Sequence, residues 1–414
     1  MRHTPRKKYI IGSRMYRDKY RAHKKRVRRQ IMPLIVLLVA ILIGATGGLV
    51  WRSLSHMSSA SPQVPTSKNT LLKPGPIHAY GIAAGSSLTD LSPQELDARL
   101  SGIAASGATW IRFDFDWSHI QPDNANSFDW STYDNLVAES RKYNLQVLGL
   151  ITYTPAWARA SNCSDSDKCR PADFGQFASF TAAVASRYKN SGLHYWEIWN
   201  EPNSPDFWKP GSNPVDYTAL LKASFIAIRN QDADSYILTG GLSPQATTAT
   251  SYTPKAFLNA IYLAGAKGYF DAVADHPYTF PLSPTNSADH AWNQMAATQS
   301  SLRQTMVANG ESNKKIWITE FGAPTGGPGP VSTIANPNLK AQPYVVDETL
   351  QAKILTDAAT LYQSYNWVGP FFWYSYQDAG TDPSTNENFF GLTRHNGTQK
   401  PAYIVFKQLA AASK

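Results

Sequence analysis

Cysteine is scarce: the 414 residues hold only Cys163 and Cys169. Neither their spacing nor nearby histidines fit a metal site. A phosphate-binding loop is also missing. Glycine does not cluster after the first strand-like run. The one glycine-rich stretch, Thr325-Gly326-Gly327-Pro328-Gly329-Pro330, lacks the Lys-Ser/Thr ending and has two prolines without a donor N–H. No short solenoid-type repeat is present. Acids are nearly absent from residues 1–30, which carry 13 Lys/Arg against the single Asp18. That arm accounts for the overall charge of +9. The other 384 residues, with 26 basic and 29 acidic side chains, carry −3. The mildly acidic body gives no reason to expect nucleic-acid binding.

What is abundant is aromatic: 12 Trp, 21 Tyr and 17 Phe, enough for a large core with rings left over for a binding cleft. The chain divides into a basic arm (1–30), an uncharged run of 21 residues (31–51), a Ser/Pro-rich tether (52–76) and a body from 77 to 414. The run from Ile31 to Trp51 is long enough to cross a hydrocarbon core as a helix, with Pro33 near its start. Its basic N-terminal flank predicts a single-pass anchor with residues 1–30 cytoplasmic and the body outside. A cleaved signal peptide, with Ser58-Ser59-Ala60 as the cleavage site, is the rival reading, and a buried helix of a soluble protein is the third. On the oxidising side of a membrane, Cys163 and Cys169 read as a disulfide pinning a polar loop, with two free thiols as the alternative.

From His78 onward, apolar runs alternate with helical patterns. Strands are expected near 78–84, 108–114, 145–152, 194–200, 236–241, 271–276, 315–320 and 369–375. Helices are expected near 92–106, 131–143, 174–190, 215–231, 254–266, 288–309, 347–365 and 401–412. The first helix has Ser92 as cap, Pro93 in its first turn and Glu95 three residues on. Eight strand–helix units predict an α/β (β/α)₈ barrel preceded by the transmembrane helix, with chemistry at the C-terminal strand ends. An open doubly wound sheet is the runner-up.

Two strands end alike. Tyr195-Trp196-Glu197-Ile198-Trp199-Asn200-Glu201-Pro202 stops at a proline just after a carboxylate, and Ile316-Trp317-Ile318-Thr319-Glu320-Phe321-Gly322 ends in a carboxylate followed by glycine. Alternation along a strand would put Glu197, Trp199 and Glu201 on one face, with Glu197 structural and one layer below the rim. Paired carboxylates at two strand ends are the parts needed to cleave a glycosidic bond. Together with Trp110-Ile111-Arg112-Phe113-Asp114-Phe115-Asp116-Trp117 and Asp275-His276-Pro277-Tyr278, these strand ends resemble clan A glycoside hydrolases, closest to families 39 and 5. The resemblance covers nearly all of residues 78–410.

The resemblance implies a retaining enzyme with Glu201 as general acid/base and Glu320 as nucleophile. It implies that Asn200 holds the sugar 2-hydroxyl and that His276 and Tyr278 reach the nucleophile or the substrate. Trp373 in the eighth strand would be a sugar platform. Arg112 is expected at the barrel mouth, keeping Glu320 ionised, or paired with Asp114 or Glu197 to hold the barrel. Tyr153, Trp157, Trp208, Trp292 and Tyr376 are candidates for further subsites. The long stretch from Thr325 to Val346 is a candidate cleft wall. The expectation is thus a membrane-tethered, extracytoplasmic retaining β-glycoside hydrolase. Its substrate would be an envelope or extracellular poly- or oligosaccharide, it would need no metal or organic cofactor, and a monomer is favoured. A catalytically silent glycan-binding barrel and a transglycosylase are the alternatives.

Overall fold

The computed structural model describes residues 78–413 apart from 164, 287, 289 and 341. The basic arm, the apolar run 31–51 and the tether 52–76 lie outside the described residues. Among the described residues, no helix is long and apolar enough to cross a membrane.

Eight parallel strands close into a barrel: β1 (Tyr80–Gly85), β2 (Trp110–Asp116), β3 (Gln146–Thr152), β4 (Tyr195–Asn200), β5 (Tyr236–Gly241), β6 (Ala272–Asp275), β7 (Lys315–Phe321) and β8 (Val368–Tyr374). Each pairs with its neighbour in sequence, and β8 closes on β1 through Tyr80–Phe371 and Ile82–Trp373 register partners. This is the (β/α)₈ architecture, and the observed strands lie within two residues of the expected ones.

The helices start where their caps dictate. Helix α1 (Pro93–Ala105) begins with a reciprocal box: Ser92 accepts from the Glu95 N–H, while Glu95 accepts from the Ser92 N–H at 2.9 Å. Next come α2 (Ser131–Lys142), α3 (Phe174–Tyr188), α4 (Pro214–Gln231) and α5 (Pro254–Leu263). Asn213 caps α4 and Thr253 caps α5, each ahead of a proline in the first turn. The single helix expected over 288–309 is instead two short ones, α6 (Ala291–Ala296) and α7 (Leu302–Ala308). The break falls at Thr298-Gln299-Ser300-Ser301, where Ser300 has φ +61 and Ser301 caps α7 by accepting from Gln304 N–H. Hydroxyl side chains compete for backbone partners and favour caps over helix interiors. The last helices are α8 (Glu348–Ser364) and α9 (Pro401–Ala412).

Two apolar layers hold the barrel. Outward strand residues such as Ile111, Ile198, Val273 and Phe371 pack against the helices in one continuous core. Inside, the N-terminal half is filled by Trp110, Leu148, Leu238, Trp317 and Phe372, with Tyr195 and Tyr236 packed on them. Trp110 meets Tyr195 edge-on at 4.8 Å and Trp317 at 5.3 Å between ring centroids. Polar side chains take over only above this plug, which puts the chemistry at the C-terminal rim.

Candidate active site

Above the plug the barrel interior becomes a linked polar network. Arg112, one pleat up from Trp110, is fully buried. Its Nε donates to Glu197 Oε2 at 2.6 Å, one terminal nitrogen to Glu320 Oε1 at 2.7 Å, and the other to Glu197 Oε1 and Asn200 Oδ1, both at 3.1 Å. Both roles expected for Arg112 therefore coexist: it braces the barrel through Glu197 and pairs with Glu320. It lies beneath the cleft floor, however, and is not a substrate contact. Glu197 also accepts from the Gly241 N–H at 2.8 Å and from Thr319 Oγ1 at 3.3 Å. That makes it a structural anchor one layer below the rim.

Strict alternation fails at the end of β4. Trp199 has φ +70 and Glu201 φ +44, in the left-handed region that non-glycine residues seldom occupy. The twist turns Trp199 outward against Phe177 and Trp208, away from the face of Glu197. It brings the adjacent Asn200 and Glu201 both to the cleft. Two glycines at the end of β5 make room. A Cβ on Gly240 would stand 2.4 Å from the Trp199 carbonyl, and one on Gly241 would stand 2.0 Å from His276 Nε2. The pairing register of β7 with β8 also shifts near its end, and neighbouring Thr319 and Glu320 both reach inward.

The two glutamates meet across His276. His276 Nδ1 lies 3.0 Å from Glu201 Oε1 and 3.7 Å from Glu320 Oε2. One carboxylate oxygen from each glutamate and the His276 nitrogen all fall within 4.8 Å of one another. Tyr278 donates its hydroxyl to Glu320 Oε2 at 2.8 Å. Burial alone would raise the Glu320 carboxyl, but His276, Arg112 and the bonds from Tyr278 and Arg112 outweigh it and hold Glu320 below the ordinary range. Burial likewise pulls His276 down, and the charges of Glu320 and Glu201 overcome it, so its imidazole sits above its ordinary value.

These residues floor a cleft of about 580 Å³ lined from the C-terminal ends of all eight strands and the loops that follow most of them. Of the expected site residues, Glu201, Glu320, Asn200, Tyr278 and Tyr153 line it. His276 is fully buried just beneath. Trp373 is not a platform: it faces outward against Phe321, fully buried, with its indole N–H on the Phe390 carbonyl at 3.2 Å. Tyr374, one residue on, faces the cleft. Trp157 packs edge-on against Trp117 and donates to the Gln121 carbonyl. Trp208 and Trp292 are core, and Tyr376 lies against Gly102. The long 325–346 segment does wall the cleft, through Gln342, Pro343 and Tyr344. Short strands Val331–Ser332 and Val345–Val346 pair at its base.

Asp114, expected only as a possible ion-pair partner of Arg112, also lines the cleft, as does Glu387, which no motif in the sequence marks; Arg112 pairs with Glu197 and Glu320 instead. Asp114 sits two residues beyond Arg112 on the same face of β2, so strand parity alone could have found it. Glu387 lies on the loop after β8, where no periodicity points to it. Burial, only partly offset by Arg112, pushes the Asp114 carboxyl up to about 7. Cys163 and Cys169 are bridged. Their loop carries Lys168 over the Tyr153 ring at 4.5 Å, with its ammonium 3.2 Å from Asp167.

A barrel of this topology, with two glutamates converging at the ends of β4 and β7, has the architecture of the glycoside hydrolase barrels. The sequence model for Cellulase (glycosyl hydrolase family 5) matches residues 78–356, and the chain belongs to that family. No curated protein matches the sequence. Similar solved structures include a family 39 glycoside hydrolase from the gut symbiont Bacteroides cellulosilyticus WH2, 22% identical with TM-score 0.60 over 81% of this chain and 64% of that one. A monomeric β-xylosidase from Caulobacter crescentus CB15 is 17% identical with TM-score 0.57, over 81% and 69%. GH5_18 from Streptomyces cattleya, solved with GlcNAc, is 16% identical with TM-score 0.60, over 82% and 80%. These likenesses are of fold, and the chain spans about 64% of the length of the Bacteroides protein.

Proposed function

We propose that the protein is a retaining β-glycoside hydrolase acting on an extracytoplasmic poly- or oligosaccharide, tethered to the membrane through residues 31–51. The observation that carries the mechanism is the approach of Glu201 and Glu320 carboxylate oxygens to within 4.8 Å. Retaining pairs lie about 5–5.5 Å apart, whereas inverting pairs need about 6.5–9.5 Å to admit a water. Glu320, kept ionised by Arg112, His276 and Tyr278, attacks the anomeric carbon. Glu201 protonates the departing oxygen, and the C–O bond to the aglycone breaks as the bond to Glu320 forms. Glu201 then takes a proton from water, whose oxygen displaces Glu320 and restores the original anomeric configuration. The Asn200 amide oxygen is taken by Arg112, which leaves its NH₂ to donate toward a sugar hydroxyl. No step in this route requires a metal or an organic cofactor. The extracytoplasmic placement is supported by the uncharged 21-residue run with its basic flank and by the Cys163–Cys169 bridge.

The test is the anomeric configuration of the first product, followed by proton NMR on β-linked oligosaccharides and aryl β-glycosides. A β-anomer that later mutarotates, together with a glycosyl adduct on Glu320 trapped by a 2-fluoro glycoside, is the expected result. A first-formed α-anomer would sink the covalent route. No turnover on any glycan would favour a silent binding barrel, and products longer than the substrate would favour a transglycosylase. Protease shaving of intact cells is expected to release the body but not residues 1–30.

A further inference from the structure

Among the described residues, the cleft is lined by four carboxylates, Asp114, Glu201, Glu320 and Glu387, and by no lysine, arginine or histidine. The cations of the site, Arg112 and His276, lie fully buried below the floor. Lys168, at the rim behind Tyr153, is paired with Asp167. A polymer of uronic acids or sulfated sugars would therefore meet repulsion with no compensating donor.

Two of the four acids have no part in bond cleavage. Asp114 is 6% exposed, opens onto the cleft, and has no hydrogen bond or ion pair within the described residues. A carboxyl so deeply desolvated and left without a donor is costly unless a ligand completes it. The Glu387 side chain is likewise unpartnered within the described residues. Although Glu387 reaches solvent, the surrounding wall and the charges of Glu320 and Glu201 push its carboxyl above the ordinary range. β1 lies between β2 and β8 in the barrel, and its end offers only Gly85 and Ser86 to the cleft. The end of β8 adds Tyr374, which faces the cleft and feels the charges of both Glu387 and Asp114.

We propose that the substrate is a glycan whose sugars carry unsubstituted amino groups, and that Asp114 and Glu387 each offer an acceptor to a protonated amine. This rests on the cleft being the glycoside hydrolase site described above. An ammonium group brings three donors and a positive charge to a carboxylate that the protein leaves unpartnered. A hydroxyl brings one donor and no charge, and an acetamido group brings one donor and added bulk.

The experiment uses the full-length chain and three β-1,4-linked hexasaccharides that differ only at C2: glucosamine, N-acetylglucosamine and glucose. Binding is measured by calorimetry on the Glu320→Gln chain, so the readout does not depend on turnover. The glucosamine hexamer is expected to bind about tenfold tighter than the glucose hexamer at low salt, with the advantage shrinking as salt is added. Asp114→Asn and Glu387→Gln should each reduce that ratio, and the double variant should bring it close to unity. Equal or weaker binding of the glucosamine hexamer, no binding of it, or a preference untouched by both substitutions overturns the proposal. Hydrolysis by the parent chain is scored separately. A parent that cuts the glucose hexamer but does not prefer the amine leaves the hydrolase reading standing and removes only this inference.

Discussion

His276 Nδ1 stands 3.0 Å from Glu201 Oε1 while its Nε2 stands 3.1 Å from Thr319 Oγ1, and the second contact fixes the meaning of the first. The Thr319 hydroxyl has one proton, directed to Glu197 Oε1 at 3.3 Å. It can then only accept from His276, so Nε2 carries a hydrogen. In the neutral ring Nδ1 is therefore a lone pair facing Glu201, ready to receive the hydrogen bond of a protonated carboxyl. In the cation it donates to the ionised carboxylate. In the proposed mechanism this holds Glu201 in place through both halves of its proton cycle.

Thr319→Val removes this lock while keeping the shape of the side chain. We expect kcat to fall about 10–100-fold with KM little changed, and Thr319→Ser to restore most of it. The pH profile of kcat should shift in the valine variant, whereas a purely structural role would leave the profile in place.

The two glutamates separate by rescue chemistry. Glu201→Ala should lose about 10²–10⁴-fold on poor leaving groups and much less on activated aryl glycosides. Added azide should restore turnover and give a β-glycosyl azide. Glu320→Ala should lose on the order of 10⁴–10⁶-fold on every substrate. Azide there should yield the α-glycosyl azide, and the opposite pairing of products would reverse the assignment of roles.

Arg112→Met leaves Glu197 and Glu320 without their buried cation. Breaking one side of a buried ion pair costs about 3–5 kcal/mol. Urea unfolding should show a midpoint lowered accordingly, with activity lost even in the folded fraction.

Asp114 gives a pH signature of stability. Its folded-state value, raised to about 7, means the native chain keeps a proton that the unfolded chain releases near 3.8. The stabilisation is complete below the unfolded value and is lost as pH rises through about 7. Asp114→Asn should therefore match the parent at low pH and exceed it at alkaline pH, by at most about 4 kcal/mol. Equal stability of the two chains across the range would contradict the burial argument.

Reducing the Cys163–Cys169 bridge opens a short loop and should cost about 2 kcal/mol. Because that loop carries Lys168 onto Tyr153, KM should rise more than kcat falls. Thermal unfolding and steady-state kinetics with and without reductant check both.

The barrel and the convergence of Glu201 and Glu320 at its rim were legible because they rest on strong local rules. Buried parallel strands read as apolar runs, and a carboxylate between such a run and Pro202 or Gly322 has little structural excuse. The misreadings come from a single residue of offset. In β8 the eye goes to Trp373, but Phe372 belongs to the interior plug, so parity sends Tyr374 to the cleft and Trp373 to the helices. At Trp199 the left-handed backbone defeats parity, and only the tertiary crowding around Gly240 reveals it. Glu387 depends on a loop path that no pattern encodes.

The aromatic plug of Trp110, Tyr195, Tyr236, Trp317 and Phe372 makes the barrel a blind well. Whatever reaches Glu320 must come and go through the same doorway, so a departing fragment and an arriving water share one path. Under the proposed hydrolysis, turnover on a long chain would depend on how fast the first fragment clears the rim, where Tyr344 and the Glu387 loop line the cleft.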